Sequence, residues 1–237
     1  MTQQQLREYL DGLVSSLNKE DRESLNARLE GLVSVFPFNE YEYLLMFLRD
    51  RSVITFRDYE ALRNRYICAN KYLNLYGLAP RIFGQIWGEQ HLRDIDPRFQ
   101  KASKSVDPNY KGEYDLWVRG VKVEVKAARA IDTAKRGDLV TKALCSASDR
   151  PFWMNFQQLK LGVCAVFVFI GVWVDRIDYW VLSNEQVKTN PYLSHQHRGG
   201  IEYQIRITDK NIRDFDPFLV SGSQAAERVI ALGEARQ

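Results

Sequence analysis

Glu113-Tyr114-Asp115-Leu116-Trp117-Val118-Arg119-Gly120-Val121-Lys122-Val123-Glu124-Val125-Lys126 folds on paper into a β-hairpin. With Arg119-Gly120 as a two-residue turn, Val118 faces Val121, Trp117 faces Lys122, Leu116 faces Val123, and Asp115 lies across from Glu124. Successive side chains of a strand alternate between faces, so Glu124 and Lys126 share the side of Asp115, while Val121, Val123 and Val125 point the other way. Residues directly opposed across such a ladder have Cβ atoms about 5 Å apart. The hairpin is therefore expected to carry two carboxylates and one ammonium on one side and an apolar surface on the other.

Two carboxylates that meet across a ladder repel each other unless a positive charge lies between them. A divalent cation supplies it, and hard oxygen donors suit Mg²⁺, which keeps several waters and binds one or two carboxylates together with phosphate oxygens. Asp115 and Glu124 are thus the expected metal ligands, with the carbonyl of Val125 as a third. Lys126 would stand beside the metal to orient or deprotonate an attacking water, or to stabilise charge on a phosphate. The alternative is an exposed hairpin whose Glu-x-Lys tripeptide faces solvent.

Outward from the hairpin, the preceding chain is helical in period. Leu6, Leu10, Leu13 and Leu17, then Leu25, Leu29, Leu32 and Val33, then Tyr43, Leu44, Phe47 and Leu48 recur at helical spacing. Asn39 and Thr55 are candidate N-caps, the latter followed three residues on by Asp58, and Pro37 is expected to break the chain between helices. The segment Ile54 to Tyr66 suits a helix-turn-helix or a packing helix. Pro80 opens a further helix over 81–92 whose Ile82, Phe83, Ile86 and Gln90 are expected to lie on one face against a sheet. Asp94 to Tyr110, with Pro97 and Pro108, reads as a polar loop carrying Lys101 and Lys104. After the hairpin, Asn155 to Leu161 reads as a helix end, Val163–Val174, Tyr179–Leu182 and Ile201–Ile207 as strands, and Gln224–Leu232 as a closing helix. This order makes an α/β core with a mixed central β-sheet flanked by helices (77–237), preceded by a helical region (1–76) suited to dimerisation or to clamping a ligand.

Composition narrows the class. The 237 residues are 45% hydrophobic and 27% charged, which argues against disorder, and no apolar run reaches the roughly 18 residues of a membrane span. No export signal is visible, so a cytoplasmic location is expected. Cys68, Cys145 and Cys164 are odd in number and scattered, which suits neither a disulfide framework nor a zinc site. The net charge of +3 is unevenly spread. Residues 1–60 hold 7 basic and 11 acidic side chains, whereas 101–150 hold 11 and 7. Positive charge gathers around the hairpin acids, as a polyanionic substrate would require, although a solvated surface predicts the same unevenness.

Asp115 followed by Glu124-Val125-Lys126 at the close of a hairpin resembles the PD-(D/E)XK nucleases, and the surrounding chain, over roughly 80–230, is similar to an orthodox type II restriction endonuclease. The resemblance implies a restriction-endonuclease-like core, metal held by Asp115 and Glu124, and a water assisted by Lys126. It also implies an acidic residue on the preceding helix, where Glu89 is the match. Tyr114 stands where the family's first motif has proline, and Asp107-Pro108 is a reversed lookalike outside the hairpin. Gln157 and Gln158 fall where the family places a helix beside the site, which makes them candidate contacts to a DNA phosphate, with a plain helix surface as the alternative. His197 and Arg198, in a polar loop with His195 and Gln196, and Lys135, Arg136 and Lys142, which follow the hairpin, are candidate contacts to DNA; a plain loop and a solvated surface are their alternatives.

The expected activity is Mg²⁺-dependent hydrolysis of phosphodiester bonds in double-stranded DNA, with Mn²⁺ able to substitute, leaving, as the resemblance implies, 5′-phosphate ends. A homodimer is expected because a twofold protein matches a palindromic site. A structure-specific repair or recombination nuclease of the same superfamily and a non-catalytic DNA-binding protein are the rival readings.

Overall fold

The computed structural model describes residues 3–30, 37–196 and 201–234, which fall into two compact units. The first joins residues 1–77 to the segments Lys135–Asp149 and Val174–Arg176. Its helices are α1 (Gln3–Ser15), α2 (Lys19–Glu30), α3 (Pro37–Asp50) and α4 (Phe56–Ala69), followed by a 3₁₀ turn at Leu73–Gly77. Leu6, Leu10, Leu17, Leu25, Leu45, Leu48 and Leu62 close into one core, as helical spacing requires, whereas Leu32 and Val33 lie outside the described residues. Thr55 caps α4 in a capping box, its side chain accepting from the Asp58 N–H while Asp58 accepts from the Thr55 N–H. Pro37 is the first residue of α3 instead of the break before it, and Asn39, expected as an N-cap, lies inside that helix; a proline at the first helical position loses no hydrogen bond. The two inserted segments are tied to each other through Ser146, whose N–H and hydroxyl both donate to Asp175, and through the Val174 N–H, which donates to Leu144, and to residues 1–77 through the Tyr72 N–H, which donates to the Val174 carbonyl.

The second unit is mixed α/β. A six-stranded sheet runs in the order β1 (Gln100–Lys101), β2 (Leu116–Val118), β3 (Val121–Arg129), β6 (Val166–Val172), β7 (Ile177–Ser183), β10 (Leu219–Val220). Only β3 and β6 pair in parallel. Every residue of β6 is buried, as a continuous apolar run in a central strand requires. A second, antiparallel sheet contains β4 (Ile131–Asp132), β5 (Phe152–Leu159), β9 (Tyr203–Thr208) and β8 (Leu193–His195). The helices of this unit are α5 (Glu89–Ile95), α6 (Asn184–Lys188) and α7 (Ala225–Glu234).

The two faces of the large sheet are covered differently. Gly88 lies against Val125 and Ala127, and Gly233 of α7 against Val121, so helices pack on the apolar face of the hairpin. On the other face Phe156 of β5 stacks on Phe169 at 4.7 Å between ring centroids, and Phe169 is the register partner of Lys126. The second sheet therefore covers part of the face that carries Glu124 and Lys126, where helices alone were expected.

Two elements depart from their sequence patterns. Asn155–Leu161, read as a helix end, belongs to β5 and the turn after it. Phe152, Phe156 and Leu159 are spaced as on a helix, but a bulge between Phe156 and Leu159 inserts one residue, with Gln158 at φ +57°, so that Leu159 faces inward as Phe152, Met154 and Phe156 do. The segment before α5 is a π-helix over Ile82–Gly88. Its wider turn buries Phe83 and Gly88, five residues apart, and leaves Ile82 46% and Ile86 62% exposed, instead of placing both isoleucines on the sheet.

Gly171 of β6 gives a test of the packing between the sheets. A Cβ there would lie 2.5 Å from Trp180 and 2.7 Å from the Met154 sulfur. Gly171→Ala is expected to destabilise the fold by about 1–3 kcal/mol, as over-packing does, read as a lower urea midpoint with an unchanged slope.

Candidate active site

The hairpin register is the one its alternation dictates: Leu116 pairs with Val123, Trp117 with Lys122 and Val118 with Val121. Arg119 and Gly120 turn the chain with φ of +45° and +90°, the left-handed pair of a type I′ turn. β3 is interior, antiparallel to β2 and parallel to β6, so both of its edges are paired. As a result the Glu-x-Lys tripeptide does not stand in open solvent; Glu124 is only 7% exposed.

Asp115 departs from the paper hairpin by one position. The ladder stops at Leu116, and beyond it the Asp115 N–H donates to the Val123 carbonyl at 3.1 Å while its own carbonyl accepts from the Ala102 N–H at 3.1 Å. Its carboxylate turns onto β3 and accepts from the Val125 N–H at 2.8 Å. Asp115 thus meets β3 beside Val125, between Glu124 and Lys126, instead of pairing squarely with Glu124. Lys126 Nζ lies 2.6 Å from Glu124 Oε1, with both side chains largely covered. Tyr114, at the position where a proline would stand in the family motif, is buried and donates its hydroxyl to Asp107 at 2.8 Å. Asp107 also pairs with Lys122 at 3.5 Å. The Asp-Pro lookalike is therefore a brace beneath the hairpin.

The carboxyl groups disturb one another. Burial raises the Asp115 pKa, opposed by the Val125 N–H and by Lys126. Burial raises Glu124 as well, with Asp115 adding to the rise and Lys126 opposing it. Glu89, the first residue of α5, is pushed up to about 7, first by burial and then by the charge of Asp115, with Lys101 opposing and Glu124 adding. All three acids therefore lie within electrostatic reach of one another, contributed by a helix, a strand end and a central strand.

Among the described residues no group of three or more His, Cys, Asp or Glu side chains converges as a ready-made metal cage. Mg²⁺ does not need one, since one or two carboxylates with water suffice. Asp115 and Glu124 offer oxygen donors alone, mutually repelling and sheltered from solvent, which is the donor chemistry a hard divalent cation takes.

The remaining candidates separate. Gln157 and Gln158 lie on the bulge of β5, not on a helix, and the Gln158 N–H donates to Gln196 at 2.7 Å. Lys135, Arg136 and Lys142 belong to the first unit, whereas the acids belong to the second. His197 and Arg198 lie outside the described residues. Three neighbours of the acids were not singled out by sequence. Lys101 pairs in register with Leu116 and lowers the pKa of Glu89. Lys160 lowers that of Glu124, and the thiol of buried Cys164 is itself raised by burial and by the charge of Glu124. Only Lys101 had a local signal, its place among the lysines before the hairpin.

Compared with known proteins, the chain matches no family model, no curated protein and no solved structure.

Glu89 makes stability depend on pH. At low pH it is protonated in both folded and unfolded chains. Between its ordinary value of 4.5 and about 7 the unfolded chain loses the proton while the folded chain keeps it. Its contribution therefore falls as pH rises and is lost once the pH passes about 7. Asp115 and Glu124, raised in the same direction, act with the same sign. In metal-free buffer at pH 8, Glu89→Gln is expected to unfold at higher urea than wild type, by roughly 1–3 kcal/mol, with the advantage gone at pH 4.

Proposed function

We propose that the chain is a Mg²⁺-dependent endonuclease with a restriction-endonuclease-like core that hydrolyses phosphodiester bonds in double-stranded DNA, and that it acts as a type II restriction enzyme. The observation that carries this reading is the pair Asp115 and Glu124. Two acids held together in a sheltered place, each raised in pKa, with one ammonium beside them, form a destabilised arrangement that a fold retains at a functional site more readily than in a structural core.

Asp115, Glu124 and the Val125 carbonyl would hold the Mg²⁺, which would supply positive charge to the scissile phosphate and to the attacking water. The residues of the chain do the rest. Asp115, anchored through its backbone to Val123 and Ala102, keeps its carboxylate at β3. Lys126 is paired with Glu124; on release of that pair its ammonium reaches toward a phosphate oxygen or the attacking water, and one of its protons is held for the developing charge. Glu89, poised near neutrality, can take a proton from water or return one to the leaving oxygen. Lys101 and Lys160 add positive charge around acids that would otherwise repel the phosphate. Cutting both strands of a palindrome calls for two such sites, hence two copies of the chain.

Incubation of unmethylated plasmid with Mg²⁺ is expected to yield discrete fragments with 5′-phosphate ends, and Mn²⁺ to substitute. Asp115→Ala and Lys126→Ala are expected to lower the cleavage rate by at least about 10³-fold, the scale on which loss of a group acting in the transition state is felt. Mg²⁺ should raise the melting temperature of wild type at pH 8 and leave that of Asp115→Asn unchanged. Cutting confined to branched or flapped DNA would favour a structure-specific nuclease, and DNA binding with no cutting under any divalent ion would leave a binding protein.

A further inference from the structure

The second unit also has an open groove of about 330 Å³, lined by Pro97, Arg98, Gln100, Trp117 and Arg119. Its place relative to the acids follows from strand register. Gln100 pairs with Trp117, and Trp117 pairs with Lys122. Residues opposed across a ladder point to the same face, and Lys122, Glu124 and Lys126 alternate along one face of β3. Trp117 and Gln100 thus point to the face that carries Glu124 and Lys126, while Arg98 reaches Glu227 of α7 on the other side, so the groove lies at the hairpin-turn end of the sheet. It is displaced toward the hairpin turn by two to five residues, about 7–16 Å at roughly 3.3 Å per residue.

The lining is chemically suited to a nucleotide chain. Trp117 presents a half-buried indole, Gln100 an exposed amide, and Pro97 an apolar wall. Arg98 is a fixed wall, held at 2.7 Å by Asp96 and at 2.9 Å by Glu227. Arg119 differs. It is exposed, and among the described residues its side chain has no hydrogen-bond or ion-pair partner. It occupies a φ of +45°, a turn position that glycine or asparagine takes with less strain. A strained position that carries an arginine is better accounted for by what the guanidinium meets than by the turn itself.

We infer that this groove is a second DNA contact of the same site, in which Arg119 holds a backbone phosphate and Trp117 packs against the adjoining nucleotide. The inference rests on the nuclease reading. A strand whose scissile phosphate lies at Lys126 reaches the groove a few nucleotides away, at roughly 3.4 Å of rise per nucleotide. Contacts of this kind fix register and orientation on the duplex, whereas the acids perform the chemistry.

The test is fluorescence polarisation of a fluorescein-labelled mixed-sequence duplex without divalent ions, across a salt series, for wild type, Arg119→Asn, Trp117→Ala, Trp117→Phe and, as a control, the exposed Lys188→Ala on α6. Arg119→Asn retains a residue that tolerates the left-handed turn. It is expected to weaken binding about 5- to 10-fold and to reduce the salt slope by about 0.9, the share of one phosphate. Trp117→Ala is expected to weaken binding about 10-fold, with Trp117→Phe restoring most of the loss through its ring. Lys188→Ala should bind as wild type does. Melting curves identify any variant that fails to fold, and Arg119→Asn decides the matter if Trp117→Ala is one of them. Wild-type binding and cutting with Arg119→Asn unchanged in affinity and salt slope would overturn the groove and leave the nuclease reading standing. Duplex binding weakened by Arg119→Asn, with no cutting by wild type, would support the groove and remove the nuclease. Absence of duplex binding by wild type would remove both.

Discussion

An ionised carboxylate taken out of water costs several kcal/mol unless a charge or hydrogen bonds replace its hydration. Glu124 meets that condition at the centre of the sheet, on a strand paired along both edges, and Asp115 adds a second negative charge beside it. What offsets the cost is local: the Lys126 ammonium on Glu124 and the Val125 N–H on Asp115. Neither interaction exists without the strand pairing that brings the residues together. The charge balance of the site and the register of the sheet are therefore one constraint.

That constraint explains the surrounding architecture. β3 must be interior to shelter the acids, and parallel pairing with β6 supplies its second edge with a strand buried along its whole length. Helices seal the apolar face of β3 at Gly88 and at Gly233, the latter so close to Val121 that a Cβ there would lie 2.3 Å from it. The opposite face cannot be sealed completely if a substrate is to reach Lys126. The second sheet packs on Phe169, and a groove lies at the hairpin-turn end of the sheet, with Trp117 on that face as one of its walls. The π-helix before α5 belongs to the same logic. Its wide turn places Gly88 on the strand, and Glu89 next to it comes within reach of Asp115.

Much of this was legible in the chain. The hairpin could be written out residue by residue because a two-residue turn and a period of two leave a single register that buries Val121, Val123 and Val125. Thr55 with Asp58 announced the start of α4, and the leucine spacing announced the helices of the first unit. These are short-range rules, in which backbone geometry ties a residue to neighbours no more than a few positions away.

Where the pattern misled, a tertiary contact had overruled it. Phe152, Phe156 and Leu159 have helical spacing, yet pairing with β9 and a one-residue bulge make them the inner face of a strand. Ile82 and Ile86 would face a sheet on an α-helix, yet the π-turn exposes them. Asp115 should have paired with Glu124, but its carboxylate claimed the Val125 N–H. By itself the sequence determined the hairpin, its turn and the chemical character of its two faces, since all of these are set by residues adjacent in the chain. Only the tertiary structure decided that the acids are sheltered, that Glu89, Lys101 and Lys160 stand within reach of them, and that a second sheet lies on their face. Burial and long-range electrostatics depend on which distant strands come to pack together, and no local spacing records that.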